Sequence, residues 1–408
     1  IAVAAAGAGA QDAPAPLSRA QAVAAALARG ARLGIARADS AAATAQLLGA
    51  RALPNPTLSA SYSKSVPRYH VTAELPIDLP WLRGPRVSAA RAGQEAARYR
   101  FEAERAATVL DADTTYTRAL AALAHARLSR RNADDADSLR RIAMRRRDAG
   151  DASDLDVELA TVSAGQQANA AAADSLTYVS TLLDLQAVIG LAADRVVVTP
   201  IDSLAPPPPD STAAAASGDG AATGADPVPL QVAAAEASLA SARLAAQAQH
   251  RAVFPVPSVM FGFEEGDPTG SEPGVLPTFG ISLPLPLLDR NRGAIAQAEA
   301  ERQRAEAELS LARVESRAAI ARATRGRAIA LAKVARDQRL VESADRVAAM
   351  SLTAYREGAS PLGNVLEAQR NARDVLAQYV DDVADAWIAT ATLRALTRFS
   401  TSPSTSTP

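Results

Sequence analysis

The sequence predicts a mainly α-helical protein with a small β part, built from two tandem copies of one unit. In each copy an alternating apolar segment runs directly into a long, charged, alanine-rich segment. The two junctions, Leu75–Pro76 and Leu283–Pro284, lie 208 residues apart, and so do Gly150 and Gly358, which interrupt the helical patterns. A fixed spacing of this kind is the sequence signature of an internal duplication.

The composition of the chain excludes several kinds of site. Aromatic residues make up 4% of the 408 residues, and alanine supplies much of the hydrophobic fraction, which suits closely packed helices better than a large core. The formal net charge of −1 gives no electrostatic reason to expect a nucleic-acid partner. The chain contains no cysteine, so neither disulfides nor thiolate metal sites are expected.

The two ends of the chain are predicted to lie outside the folded repeats. Residues 1–10 are apolar and finish in small residues, so they are interpreted as a signal-peptide remnant. Residues 400–408 are rich in Ser, Thr and Pro and are predicted to be a disordered tail. No run of about 20 apolar residues follows the first segment, so the sequence predicts no transmembrane helix.

The first repeat is assigned to residues 11–200. A helical pattern ends at the motif LPNP, and strands are predicted at about 57–66 and 69–78. A long helical hairpin follows, with its tip near Gly150, because glycine supplies the positive φ that ends a helix.

The second repeat is assigned to residues 230–399 and has the same order of elements. After a helix, strands are predicted at about 258–265 and 278–286, and the helical hairpin has its tip near Gly358. Residues 201–229, between the repeats, are rich in proline and glycine and are predicted to be a linker.

All four predicted strands alternate apolar and polar or small residues, as a strand with two different faces requires. Their length is close to the ~9–11 residues of a tilted transmembrane strand, but a small soluble sheet with one covered face would alternate in the same way. Two observations favour the membrane. The helices leave no separate cover for the sheet, and Pro76, Pro284 and Pro286 suit a sheet margin.

Four strands cannot close a barrel, because the smallest spanning barrels have about eight strands and open edges are not tolerated in lipid. A membrane-spanning role therefore requires several chains, and two or three copies both satisfy the strand count. The helix after Gly293 supports close helix packing, since it repeats small apolar residues every seventh position: Ala300, Ala307, Val314, Ala321, Ala328 and Ala335.

No catalytic or metal-binding constellation is visible, so no catalytic residue, metal or cofactor is expected and the chain is predicted not to be an enzyme. The three histidines, His70, His125 and His250, show no ligand spacing. Polar residues do follow each tip glycine, at Asp156 in one copy and at Asn364 and Glu367 in the other. The helix dipole explains most acidic residues there, but in a symmetric oligomer they also form rings that select ions or gate a pore.

The chain resembles the TolC-like outer-membrane efflux proteins, the outer components of tripartite export systems. The resemblance covers about residues 17–399. It rests on the duplicated unit, on the segments LPNPTLS and FPVPSV, on ISLPLPLLDRNRGAIAQAEAERQRAEAEL, and on the tip motifs AGDASDLDVELA and YREGASPLGNVLEAQ.

This resemblance implies a homotrimer in which a 12-stranded transmembrane β-barrel is continued by an α-helical barrel. Residues 201–229 are then a linker or part of an equatorial segment. The barrel lies in the outer membrane, in contact with its lipid, and the helices lie in the periplasm. The implied partners are a periplasmic adaptor and an inner-membrane pump, and the implied function is passive export with an iris-like gate at the helical tips.

The resemblance also implies roles for individual residues. The periplasmic gate falls on Asp156, Tyr355, Asn364 and Glu367. The adaptor contact falls on the hairpin tips: Gly150, Asp151, Gly358, Ala359 and Ser360. Asn364 and Ser360 depart from the family's pattern, which argues against an aspartate–arginine lock here. The alternative hypothesis is a soluble periplasmic coiled-coil scaffold or adaptor, and the exported substrate is not encoded in any motif.

Overall fold

The computed structural model describes residues 14–65, 68–208, 228–253, 256–265 and 274–397. The predictions for residues 1–10 and 400–408, and most of the predicted linker, lie outside these residues. The elements are β1 (Ala15–Leu17), α1 (Arg19–Arg29), α2 (Ala31–Arg51), β2 (Thr57–Tyr62), β3 (Tyr69–Pro76), α3 (Pro80–Asp148), α4 (Asp154–Val188), β4 (Val198–Pro200), α5 (Leu230–Arg251), β5 (Ser258–Glu265), β6 (Val275–Ser282), α6 (Arg292–Arg356) and α7 (Leu362–Leu396).

The same order of elements occurs twice. The series α2, β2, β3, α3, α4 is followed by α5, β5, β6, α6, α7. Contacts divide the chain into two units. A helical unit comprises residues 1–34, 104–227 and 317–408, and a sheet unit comprises residues 35–103 and 228–316. Each unit draws on both copies, so the predicted repeat boundaries remain predictions about the sequence.

Three of the four predicted strands end earlier than expected, and the strand expected at 69–78 ends at Pro76. The strand expected at 278–286 is Val275–Ser282, because Pro284 and Pro286 have no N–H to donate to a ladder. The strand expected at 57–66 ends at Tyr62. The helix expected from about Leu17 to Arg51 is also divided at Gly30, and the short strand before it, β1, pairs in parallel with β4.

The sheet unit contains one four-stranded sheet in the order β2-β3-β5-β6, with every pair antiparallel. Its register aligns Ala60, Val71 and Phe263 in one row across β2, β3 and β5. Because alternate residues share a face, one face is apolar except at Glu265, the last residue of β5. Its large side chains are exposed to solvent in the single chain: Leu58, Tyr62, Tyr69, Val71, Leu75, Phe261, Phe263, Phe279 and Ile281.

The opposite face of the sheet is polar and close-packed. Ser59 Oγ lies 2.6 Å from Thr72 Oγ1, and His70 Nδ1 lies 3.6 Å from Glu264 Oε2. Gly262 is buried in the middle of this face, between Thr72 on β3 and Thr278 on β6.

The four helices that are next to the sheet strands in the chain, α2, α3, α5 and α6, all meet the sheet at the same end. At the helical end, Asp78 is almost fully buried, with Arg86 Nη2 at 2.7 Å and Arg83 Nε at 3.7 Å from its Oδ2. The same arginines donate to the last carbonyls of α2, at Ala50 and Arg51. This clamp fixes the junction between β3 and α3.

The sheet-unit part of the helices packs through small and aliphatic side chains. Val232 and Leu239 of α5 meet Ala305 and Leu309 of α6. The row that is packed in the single chain contains Ala298, Ala305, Ala312 and Ala319, which are buried or half-buried. The row beside it is exposed over its whole length, at Ala300, Ala307, Val314, Ala321, Ala328 and Ala335.

In the helical unit, a network of polar side chains holds β1 and β4 against the helices. Tyr116 is fully buried in α3, and its hydroxyl donates to Leu17 O and to Asp202 Oδ2, both at 2.8 Å. Burial, and then the bond to Asp202, raises the pKa of Tyr116 to about 12. Arg19 stacks over Trp387 at 4.3 Å and forms an ion pair with Asp113.

A second buried polar group joins α6 to α7. Asp382 is 1% exposed and accepts hydrogen bonds from Lys333 Nζ at 2.6 Å and Gln378 Nε2 at 3.0 Å. Burial opposes ionisation of Asp382, but bonds from Asp337, Lys333 and Gln378 outweigh it and lower its pKa. The pKa of Asp337 is raised, first by its hydrogen bond to Asp382 and then by burial.

Asp337→Asn is expected to stabilise the helical unit at neutral pH, by on the order of 2 °C in Tm. Because the pKa of Asp337 is raised in the folded state, the protonated side chain stabilises the fold at low pH. This stabilisation is lost as pH rises from the ordinary carboxyl range through the folded-state pKa. The amide donates to Asp382 at every pH, so this loss disappears. Thermal unfolding from pH 4 to pH 8 checks it, and a gain that is independent of pH would contradict it.

Candidate functional site

Both helical hairpins end in the same kind of turn. Gly150 and Gly358 have φ values of +84° and +76°. After α3, the N–H groups of Gly150 and Asp151 bond back to Arg147 O at 2.9 Å and Arg146 O at 2.8 Å. After α6, the N–H groups of Gly358 and Ala359 bond in the same pattern, at 3.1 Å and 2.8 Å. This is the Schellman motif, whose left-handed residue is usually glycine.

Arg146 connects the two turns within the helical unit. Its Nη1 donates to Tyr355 O, and its Nη2 donates to Asp151 O at 3.2 Å. Its guanidinium lies over the Tyr355 ring, 4.6 Å from the centroid. One side chain therefore binds backbone carbonyls of both tips and stacks on an aromatic ring.

Tyr355 is the centre of the apolar cluster below the turns. It is 2% exposed and packs with residues of α3, α4 and α7: Leu139, Ala143, Val157, Ala160, Leu362 and Val365. Its hydroxyl oxygen is buried and has no hydrogen-bond partner among the described residues. The pKa of Tyr355 is raised, mainly because the hydroxyl is buried. Arg146 offsets part of this increase, and the negative charge of Asp156 adds to it.

Asp156 caps the start of α4. Its Oδ2 accepts from Ser153 N at 3.2 Å and Ser153 Oγ at 3.1 Å, and its own N–H donates to Ser153 Oγ at 3.2 Å. This reciprocal capping box satisfies orphan donors of the helix start. The structure thus places Asp156 close enough to influence Tyr355 electrostatically, but its hydrogen bonds go to Ser153.

The remaining predicted site residues lie on the surface. Asn364 and Glu367, three positions apart, are both exposed on α7. Asn364 Nδ2 donates to Ser360 Oγ at 3.1 Å, and Glu367 lies 4.0 Å from Arg370. The tip residues Asp151 and Ala359 are exposed as well. The structure therefore does not join Asn364 or Glu367 to Tyr355 in one chain.

The sequence analysis missed Arg146. It lies in a run of three arginines at the end of α3, Arg145–Arg147, which complements the helix dipole and gives no sign that one member reaches the other hairpin. Only the fold distinguishes it.

Tyr355→Phe is expected to leave the chain as stable as the parent or to stabilise it by about 1 kcal/mol, because the substitution removes a buried hydroxyl that has no partner. Tyr116→Phe is the matched control. The Tyr116 hydroxyl has two hydrogen-bond partners, so the free energy of unfolding of this variant is expected to fall by about 1–3 kcal/mol. Chemical unfolding of both variants makes the comparison, and a clear loss for Tyr355→Phe would refute the prediction.

Neither a metal site nor a spanning helix is found in the part of the chain that the structure describes. No group of three or more His, Asp or Glu side chains there is arranged to hold a metal ion. None of the described helices contains a stretch apolar and long enough to cross a membrane.

Comparison with known proteins places the duplicated fold and its tips in context. Residues 229–397 match the family model described as outer membrane efflux protein. The structure of the CmeC outer membrane channel from Campylobacter jejuni superposes with a TM-score of 0.76, at 15% identity, over 93% of this chain and 85% of that one. The chain has the fold of this outer membrane channel.

Two other outer membrane proteins share this fold. The outer membrane protein VceC from Vibrio cholerae matches at 16% identity with a TM-score of 0.73, over 93% of this chain and 95% of VceC. The open state of the MtrE outer membrane channel from Neisseria gonorrhoeae matches at 16% identity with a TM-score of 0.70, over 93% and 88% of the two chains. None of the curated protein sequences matches the chain.

These matches confirm the resemblance and the fold class predicted from the sequence. The family model covers the second copy, and the structural matches extend the same fold over 93% of the chain. The tips are therefore the ends of helical hairpins in the fold of these outer membrane channels.

Proposed function

We propose that three copies of this chain form the outer-membrane exit duct of a tripartite efflux system. The duct passively conducts substrates that a periplasmic adaptor and an inner-membrane pump deliver, and it is gated at the helical tips. The observation that carries the proposal is the sheet. Its apolar face is uncovered in the single chain, and its outer strands β2 and β6 each pair on one side only among the described strands.

The antiparallel order of the sheet supports closure by identical copies. With four strands in alternating direction, β6 of one copy runs opposite to β2 of the next, so every new pair is antiparallel as well. Three copies supply twelve strands, and closure leaves no unpaired backbone in the lipid. The apolar face then contacts lipid and the polar face, with Thr72 and Glu264, lines the lumen.

The exposed row on α6 supports the same assembly. Small side chains at every seventh position permit close approach of another helix, and the single chain leaves this row uncovered. We infer that a neighbouring copy packs there. The helices of three copies then continue the barrel as a helical conduit.

The gate is assigned to the tips. Arg146 and the buried Tyr355 ring hold the two turns of one copy together, and Asp156 fixes the start of α4 beside them. The exposed Asn364 and Glu367 provide side chains that become rings in a trimer. The exposed tip residues Gly150, Asp151, Gly358 and Ala359, with the half-buried Ser360, provide the surface for the adaptor.

Location and particle mass test the duct. Membranes of expressing cells are fractionated, and the protein is weighed as an intact particle in mild detergent. Outer-membrane protein at three times 42.1 kDa is expected. A soluble periplasmic monomer would exclude the duct and leave the scaffold hypothesis.

Asp156→Ala tests the gate in planar bilayers. Loss of the capping box weakens the start of α4 by about 1 kcal/mol, so longer or more frequent openings than in the parent are expected. Ser153→Ala, which removes the other half of the same box, should act in the same direction. Unchanged closure in both variants would exclude Asp156 from gating.

A further inference from the structure

The two junctions between sheet and helix differ in length. Three residues, 77–79, connect β3 to α3, whereas nine residues, 283–291, connect β6 to α6. Residues of the short connection bond to the rest of the sheet unit. Ile77 donates its N–H to Pro257 O at 2.8 Å, and Asp78 forms the arginine clamp. The additional residues of the long connection need a different explanation.

The long connection exposes a run of leucines. Leu283, Leu285, Leu287 and Leu288 are 59%, 65%, 75% and 102% exposed. Leu283 and Leu285 share the parity of Phe279 and Ile281, so they continue the apolar face of β6 beyond the end of the strand. The chain then turns, since Leu287 N–H donates to Leu285 O at 2.8 Å, and Leu287 and Leu288 lie exposed at this turn. A contiguous apolar patch of this kind marks an interaction surface.

The connection has a defined shape. Asn291 adopts a φ of +58°, and its N–H donates to Asp289 Oδ1 at 2.9 Å. Its Nδ2 donates to both Gln249 O and Gln249 Oε1 at 3.0 Å, which ties the connection to the end of α5. A cavity of about 460 Å³ lies between the connection and the C-terminal end of α5, and it is lined mostly by Ala252, Val253 and the leucines of the connection.

Charge changes abruptly where the leucines end. Arg290 and Arg292 follow directly, and both are exposed without an ion pair to another described residue. At the other junction, Trp81 is 56% exposed at the start of α3. Apolar residues bordered by arginine and tryptophan are typical of the boundary between acyl chains and headgroups.

We propose that residues 283–291 form a phospholipid-binding collar below the barrel. The leucines lie among the acyl chains of the adjacent leaflet, the cavity accepts one acyl chain, and Arg290 and Arg292 bind anionic phosphate headgroups. A second copy of the chain is a poorer occupant, since covering this surface with protein buries two arginines that have no partner. The collar rests on the proposed function, because it requires the sheet to span a membrane.

Single-cysteine labelling tests the collar in the full-length protein, because the natural chain has no cysteine. Leu288→Cys, Phe279→Cys and Leu340→Cys each receive a fluorophore and are reconstituted in vesicles of phosphatidylethanolamine and phosphatidylglycerol with brominated acyl chains. Position 279 reports the apolar face of the strand, and position 340 is an exposed site on α6. All three replaced side chains are exposed, so folding should be preserved.

Bromine quenching at position 288 is expected to be within about twofold of that at position 279, with none at position 340. Quenching at 279 without quenching at 288 overturns the collar and leaves the duct intact. Blue-shifted but unquenched emission at 288 shows cover by protein and also overturns it. Absence of quenching at 279 defeats the proposed function, and the collar with it.

The headgroup half of the proposal has its own test. Native mass spectrometry compares bound phosphatidylglycerol with bound phosphatidylcholine for the parent, for Arg290→Gln with Arg292→Gln, and for Arg339→Gln, an exposed control on α6. The double variant should lose its preference for the anionic lipid by about fivefold or more. An unchanged preference would exclude headgroup binding by these arginines.

Discussion

Gly262→Ala is expected to abolish most of the proposed trimer. A β-carbon at this position would lie 2.7 Å from Thr72 Cγ2, 2.8 Å from Val71 O and 2.9 Å from Thr278 Oγ1. Strands on both sides are too close, and one of the contacts is to backbone, so no side-chain rotation relieves the overlap. Overpacking of this kind costs about 1–3 kcal/mol. In lipid, water cannot replace the ladder hydrogen bonds that separation of β5 would break.

Gly280→Ala is the matched control, since Gly280 lies on the same face of the neighbouring strand β6. The nearest atom to its added β-carbon is Met260 Cε at 3.2 Å, the flexible end of a long side chain. Oligomer yield after extraction, and the denaturant midpoint of the extracted particle, should be near the parent for this variant and sharply lower for Gly262→Ala. Equal behaviour of the two would show that the close approach at Gly262 is not limiting.

Arg146→Ala is expected to loosen both tips. It removes two charge-assisted hydrogen bonds to carbonyls of different turns and the stacking on Tyr355. Because this site is partly buried, the free energy of local opening should fall by about 2 kcal/mol in both turns. This corresponds to about thirtyfold faster amide exchange there. If the tips are the gate, open events in planar bilayers should increase in parallel.

Arg147→Ala separates this effect from the loss of a positive charge. Arg147 pairs with its neighbour Asp148 and lies 3.9 Å from Asp154, without reaching the other hairpin. Arg147→Ala should therefore leave amide hydrogen exchange at residues 357–360 unchanged. Arg146→Lys should recover part of the protection, because it keeps a donor and loses the planar stack. Equal exchange in Arg146→Ala and Arg147→Ala would refute the role of Arg146.

Local sequence patterns were sufficient to predict much of the fold. Alternation identifies β5 because Phe261 and Phe263 lie on one face, and Gly262 and Glu264 lie on the other. The tips were identifiable because a left-handed turn selects glycine, here Gly150 and Gly358. Both signals reside in a few consecutive residues, so a single sequence reveals them.

Long-range contacts were not predictable in the same way. The pairing of β1 with β4 joins three-residue strands about 180 residues apart, too short to show alternation. Arg146 meets Tyr355 across 209 positions, and no residue near either predicts the contact. Asp156 was identified from the tip motif, but its capping bonds to Ser153 became visible only with the backbone geometry.

The placement of every helix junction at one end of the sheet has a consequence for membrane insertion. In the proposed duct, only the segments that link β2 to β3 and β5 to β6, residues 63–68 and 266–274, have to cross the bilayer. Their sequences, SKSVPR and GDPTGSEPG, carry two basic and two acidic residues in all. The long charged helices never leave the compartment in which they fold. The desolvation barrier to insertion is therefore confined to these two short peptides.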